Sequence, residues 1–162
     1  MKKVFLFLGL VTVLFGCKKK CDQSAGSTIV SDAEKTLVTN YLANNSITNA
    51  VPLENCGLYY IITAPGDSKK PNQCSYLSVN YKGYTESGTV FDQTTSSPAS
   101  FYLYQLVEGW RRGIPLIGKG GKIKLFIPPS LGYGPSGLKR PDGSYVIPAN
   151  QIIIFEVEVV NM

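Results

Sequence analysis

The chain has no histidine, and only one of its 162 residues is tryptophan. Without histidine, the commonest general base and the commonest metal ligand are both missing. That counts against a Ser-His or Cys-His hydrolase and against a typical zinc enzyme. Acids are also scarce, with 11 Asp and Glu against 16 Lys and Arg. No two of them read as an acid–base pair. Asp92 is flanked by a candidate site aromatic, whereas Glu108, Glu156 and Glu158 read as helix or strand surface positions. No cluster has metal-ligand spacing, so no metal and no cofactor are expected. The glycines of Gly118 to Gly121 precede a strand, not a long helix, so they offer no phosphate cradle. No Cys-x-x-Cys redox motif occurs among the cysteines at 17, 21, 56 and 74.

What is present begins with a leader. Met1-Lys2-Lys3 is followed by nearly unbroken apolar residues from Val4 to Phe15, then by Gly16-Cys17. The run is too short to span a bilayer as a helix, and its positive start fits an export signal. Leu14-Phe15-Gly16-Cys17 resembles a bacterial lipobox. That implies removal of residues 1–16, lipidation of Cys17, and an anchored protein in the bacterial envelope facing the periplasm or the cell surface. Phe15 is bulkier than is usual there, and a plain secretory signal cleaved elsewhere is the alternative. Losing Lys2 and Lys3 would lower the formal charge from +5 to +3. Lys18 to Lys20 then form one short basic run at a terminus, which reads as a solvated stop near anionic head groups. Nucleic-acid binding needs a concentrated basic face, so no nucleic-acid partner is expected. Cys21, Cys56 and Cys74 permit one disulfide in an oxidising space, and Cys56–Cys74 is the favoured pair because the two flank a strand and loop.

Residues 17–30 are polar and basic with Gly and Ser, and read as a flexible tether. Residues 31–50 read as a helical extension. Ser31-Asp32-Ala33-Glu34 looks like a capping box in which the Glu reaches back to the helix start. Leu37, Val38, Tyr41 and Leu42 supply an amphipathic stripe over a helix from about 32 to 43. From 51 to 162 the pattern is mostly strands. They are expected at Leu58–Thr63, Ser75–Tyr81, Val90–Phe91, Ser100–Leu103, Lys122–Ile127 and Gln151–Val160, with a long Pro/Gly loop over 128–149. Many strands with few helices imply an α+β domain, an antiparallel sheet with a short helix on one face.

That helix carries the lone tryptophan. Leu106, Val107 and Trp110 have helical spacing, and Gly109 beside the Trp permits a close approach of another backbone or a ligand. A lone Trp on a short helix is more often core than site. Its company argues the other way. Tyr81-Lys82-Gly83, Gly88 to Asp92, Phe126 to Gly134 and Ile147 to Asn150 each place an aromatic or aliphatic residue beside turn residues, as an apolar cleft with exposed loops requires.

Taken in order, Val79-Asn80-Tyr81-Lys82-Gly83, Gly88-Thr89-Val90-Phe91-Asp92, Phe101-Tyr102-Leu103, Val107-Glu108-Gly109-Trp110, Gly120-Gly121, Ile127 to Gly134, Ile147-Pro148-Ala149-Asn150 and Phe155 to Glu158 resemble the FKBP-type peptidyl-prolyl cis-trans isomerases. The resemblance covers the chain from about Gly57 to its C-terminus. It implies an antiparallel β-sheet half-wrapped around a short α-helix, with a cleft between them. Trp110 would be the cleft floor, and Tyr81, Phe91, Phe101, Val107 and Phe155 its walls. Asp92 would be a polar wall residue, with the Tyr133 hydroxyl and the Ile147 backbone N–H as donors to substrate carbonyls. Ala99 stands where an aromatic is common, and the loop from Pro135 to Val146 is longer than in the smallest members. The implied partners are proline-containing polypeptides and the macrolide inhibitors of the family.

The residue types suit that chemistry. Rotating an X-Pro bond passes through a twisted amide, against a barrier of about 20 kcal/mol set by lost resonance. The twisted form is less charge-separated, so a water-poor apolar cleft favours it, and no nucleophile is needed. Two other classes remain open: a peptide-binding or chaperone module on a lipid anchor, with little catalysis, and a structural lipoprotein whose Trp110 and tyrosines are simply core.

Overall fold

The computed structural model describes residues 28–53 and 56–162. The leader, Cys17, Cys21 and residues 17–27 of the expected tether lie outside the described residues. Helix α1 (Asp32–Asn44) leads into strands β1 (Val51–Pro52), β2 (Tyr59–Ala64), β3 (Tyr76–Thr85), β4 (Val90–Gln93) and β5 (Ala99–Tyr102). Helix α2 (Glu108–Gly113) follows, then β6 (Lys122–Ile127), β7 (Leu138–Lys139), β8 (Tyr145–Ile147) and β9 (Ile153–Asn161). The main sheet runs β1-β2-β6-β9-β3-β4, with β5 also on β3. Every pairing in it is antiparallel. The expected fold class holds.

The alternation of the strands builds two cores. Ile123, Leu125 and Ile127 of β6 face inward with Ile153, Phe155, Val157 and Val159 of β9, and pack around α2. Phe126 and Ile154 point to the opposite face, where Val38 and Leu42 of α1 cover them. Val38 and Leu42 are therefore the buried part of the α1 stripe, while Leu37 is exposed. Docking extends upstream as well. Val30, at the end of the expected tether, is 3% exposed and belongs to the main core.

Helix α2 sits close to the sheet because of two glycines one turn apart. A Cβ on Gly109 would lie 2.6 Å from Ile127, and one on Gly113 would lie 2.5 Å from Leu125. The close approach that Gly109 suggests is thus to a core side chain of β6. The helix begins two residues later than its apolar spacing suggests, with Val107 as its N-cap and Leu106 before it.

Three expectations change. The 128–149 stretch is not an unbroken loop. It holds 3₁₀ turns at Pro129–Leu131 and Gly134–Ser136 and the β7–β8 ribbon. Glu34 does not close the capping box. Its backbone N–H donates to Ser31 Oγ at 3.3 Å, but its carboxylate leaves the helix for Ser130. Cys56 is not paired with Cys74. Cys56 is a free buried thiol whose Sγ lies 3.4 Å from the Leu53 carbonyl, whereas Cys74 is disulfide-bonded. The sequence interval between two cysteines does not reveal which way each side chain faces. Cys56 faces the core beside Val30 and Leu58.

Candidate active site

A cavity of about 130 Å³ opens between α2 and the inner face of the sheet. Trp110 forms part of its lining and is 3% exposed. Tyr81 from β3, Phe101 from β5 and Phe155 from β9 line it, with Val107, Leu106, Asp92 and Tyr133 completing the wall. The rings meet edge to face: Trp110 lies 5.1 Å from Phe155 at 88° and 5.5 Å from Tyr81 at 83°. Edge-to-face packing places the positive rim of one ring on the negative face of the next and holds each ring in one orientation.

Gly83 makes this aromatic wall possible. A Cβ there would lie 2.5 Å from the Phe155 ring and 2.7 Å from the Phe91 ring. Phe91 does not touch the cavity itself. It stands behind the lining, 5.4 Å from Phe155 and 6.4 Å from Tyr133, both edge to face. It is a support for the wall.

The polar groups are few. The Tyr81 hydroxyl donates to Asp92 Oδ2 at 2.7 Å. Burial pushes the Tyr81 phenol well above its ordinary value, and the hydrogen bond and negative charge of Asp92 push it further. Burial also raises the Tyr133 phenol, with Asp92 adding to the effect. Both hydroxyls therefore stay protonated across the physiological range and remain donors. Among the described residues the buried indole Nε1 of Trp110 has no hydrogen-bond partner, an uncommon condition for a buried donor.

Of the nine residues expected at the cleft, seven line the cavity, Phe91 backs it, and Ile147 stands apart. Ile147 is 1% exposed, lies in β8 opposite Leu138, and does not reach the lining. Val107, which does line the cavity, is the N-cap of α2. As N-cap it accepts from Trp110 and Arg111 through its carbonyl, while its own N–H has no backbone partner among the described residues. Leu106 is the lining residue missing from the expected set. Its spacing from Trp110 was the available signal.

A larger hollow of about 400 Å³ lies on the other face of the sheet. Its floor carries the Lys122–Glu158 and Lys124–Glu156 ion pairs, at 3.5 and 3.2 Å. The rings of Trp110, Phe101 and Phe155 line the smaller cavity and not this hollow, which makes the smaller cavity the candidate site. Among the described residues no group of His, Cys, Asp or Glu could hold a metal ion.

An antiparallel sheet, a short helix packed on its inner face and an aromatic cavity between them define the class of fold to which the chain belongs. Comparison with known proteins agrees. Residues 67–160 match the family model of FKBP-type peptidyl-prolyl cis-trans isomerases. The chain is 32% identical over 156 residues to the FKBP-type isomerase FkpA of Buchnera aphidicola subsp. Schizaphis graminum, covering 93% of this chain and 60% of that one. It is 38% identical over 114 residues to FkpA of Escherichia coli K12, covering 69% of this chain and 40% of that one. The crystal structure of Escherichia coli FkpA superposes with a TM-score of 0.66 over 80% of this chain and 59% of that one, at 32% identity. A Pseudomonas syringae peptidyl-prolyl isomerase superposes at 0.65 over 84% of this chain and 98% of that one, at 25% identity. The chain belongs to the FKBP-type peptidyl-prolyl cis-trans isomerase family. It spans 60% or less of the two FkpA relatives it matches.

Proposed function

We propose that this protein accelerates rotation about X-Pro bonds in exported polypeptides, as an isomerase lipid-anchored in the bacterial envelope. The observation that carries the reading is the cavity walled by Trp110, Tyr81, Phe101 and Phe155, with Asp92 and Tyr133 as its few polar neighbours. A proline ring enters over Trp110 and the preceding carbonyl loses its water. The planar amide, being the more dipolar form, suffers more from that loss than the twisted one, so the barrier falls. Tyr133 and the Val107 N–H hold the flanking carbonyls, and the Tyr81–Asp92 pair keeps the polar wall in place. Uncatalysed rotation takes tens of seconds or longer, slow enough to limit folding. The same cavity would admit the macrolide inhibitors of the family, with Ala99 leaving the rim open on one side. The extracytoplasmic assignment rests on Met1 to Cys17, and a disulfide at Cys74 suits an oxidising compartment. Among the described residues no helix is long and apolar enough to cross a membrane.

The test is the cis-to-trans rate of an X-Pro tetrapeptide with the full chain in detergent. Wild type should accelerate it. Asp92→Ala should lose about tenfold, or ~1.4 kcal/mol of transition-state stabilisation. Tyr133→Phe should lose about fivefold, the worth of one neutral hydrogen bond near 1 kcal/mol. A folded protein that gives no acceleration would leave a peptide-binding module as the reading.

A further inference from the structure

We propose that Glu34 is a positioning residue for the cleft: from the N-terminal helix it grips the turn that carries Tyr133. Glu34 lies outside the residues 67–160 that match the family model. Its Oε1 accepts the Ser130 backbone N–H at 3.0 Å, and its Oε2 accepts the Ser130 hydroxyl at 2.6 Å. Both bonds are partly buried and join residues 96 positions apart. A carboxylate accepting two donors from one residue is charge-assisted and fixes direction as well as distance.

Ser130 sits in the Pro129–Leu131 turn, three residues before Tyr133. Downstream of it Leu131 is fully buried and Gly132 packs on Ile153, so the segment from Ser130 to the Tyr133 ring has little slack. The Tyr133 ring is braced on one side by Phe91, 6.4 Å away. Beyond the turn's own bonds, from the Leu131 N–H to the Pro128 carbonyl and from the Gly132 N–H to the Pro129 carbonyl, Glu34 supplies the polar contacts that tie the Ser130 end to another element. The carboxylate was free for this role because it does not return to the helix start as a capping box would have it.

A second contact ties the same segment to helix α2, which carries Trp110. Arg112 Nη2 of α2 donates to the Thr28 carbonyl at 3.2 Å, and Arg112 Nε pairs with Glu108 at 2.9 Å. The stretch from Thr28 to Glu34 thus touches both the helix of Trp110 and the turn of Tyr133, and it helps set the distance across the cleft.

The proposal rests on the isomerase reading for its kinetic consequence and is tested with a second, activity-independent measurement. The full chain, Glu34→Ala, Glu34→Gln and Ser130→Ala are compared in the tetrapeptide assay, and by amide hydrogen exchange of Ser130 to Tyr133. Glu34→Ala should lower kcat/KM by about fivefold and speed exchange in that turn, with the rest of the sheet unchanged. Glu34→Gln keeps an acceptor for the Ser130 N–H and should restore most of both. In a Tyr133→Phe background Glu34→Ala should cost less than about 1.5-fold, because its effect passes through that hydroxyl. An undiminished loss in the Tyr133→Phe background, or exchange in the turn equal to wild type, would overturn the proposal. A wild type without isomerase activity would sink the functional reading instead, leaving the exchange result alone to decide the brace.

Discussion

At the scale of single residues, the most informative pair is Tyr81 and Asp92. Their 2.7 Å hydrogen bond uses the Tyr81 donor inside the cavity, so of the two lining phenols Tyr133 is the one proposed to face a substrate carbonyl. Both phenols are raised above their ordinary value near 10, by burial first and Asp92 second. Between the unfolded and folded values the native state holds protons that the unfolded chain releases. This stabilisation is therefore fully present below about pH 10 and is lost as pH rises through the folded values. Urea midpoints should be flat from about pH 8 to about pH 9.5 and fall above about pH 10, and Tyr81→Phe should flatten the fall. In absorbance titrations at alkaline pH, these two phenols should ionise above the ordinary tyrosine range. If Tyr81→Phe leaves the alkaline slope unchanged, the burial assigned to its hydroxyl is wrong.

At the scale of elements, α2 is the piece whose placement decides the site. It is only six residues long, and a helix so short owes its stability to packing, not to propensity. Gly109 and Gly113 let it lie directly on Leu125 and Ile127, while Glu108 ties back to Arg111 and Arg112 at 3.2 and 2.9 Å. Gly109→Ala adds a methyl 2.6 Å from Ile127, whose side chain is already fully buried. The expected cost is about 1–3 kcal/mol in denaturant unfolding, since overpacking cannot relax into empty space. Trp110 should lift with the helix, so kcat/KM should fall as well. A variant as stable as wild type would mean that α2 has room to slide.

At the scale of the molecule, the sheet has helices on both faces, and each face does different work. The inner face closes around α2 and forms the cavity. Part of the outer face is covered by α1, which buries Val38 and Leu42 against Phe126, Ile152 and Ile154. The extension is therefore part of the folded unit. Leu42→Ala should destabilise the whole domain by roughly 2–3 kcal/mol, the cost of a truncated leucine at a site 7% exposed. A single cooperative transition shifted to lower denaturant is expected. A separate early transition confined to α1 would instead make the extension an independent unit.

Much of this was legible before any coordinate. Ser31 at the helix start, the apolar spacing of Val38 and Leu42, and the alternation in Lys122 to Ile127 each encode local structure, because a helix or strand repeats its geometry residue by residue. The order of the aromatic segments from Tyr81 to Phe155 pointed to a cleft, and seven of the nine named residues line it. What the chain order could not convey is which distant groups meet. The free, buried state of Cys56, the reach of Glu34 to Ser130 and Ile127 as the neighbour of Gly109 all depend on how elements cross in space. Periodicity is a property of neighbours along the backbone, whereas these contacts are settled by packing between strands and helices that the sequence holds far apart.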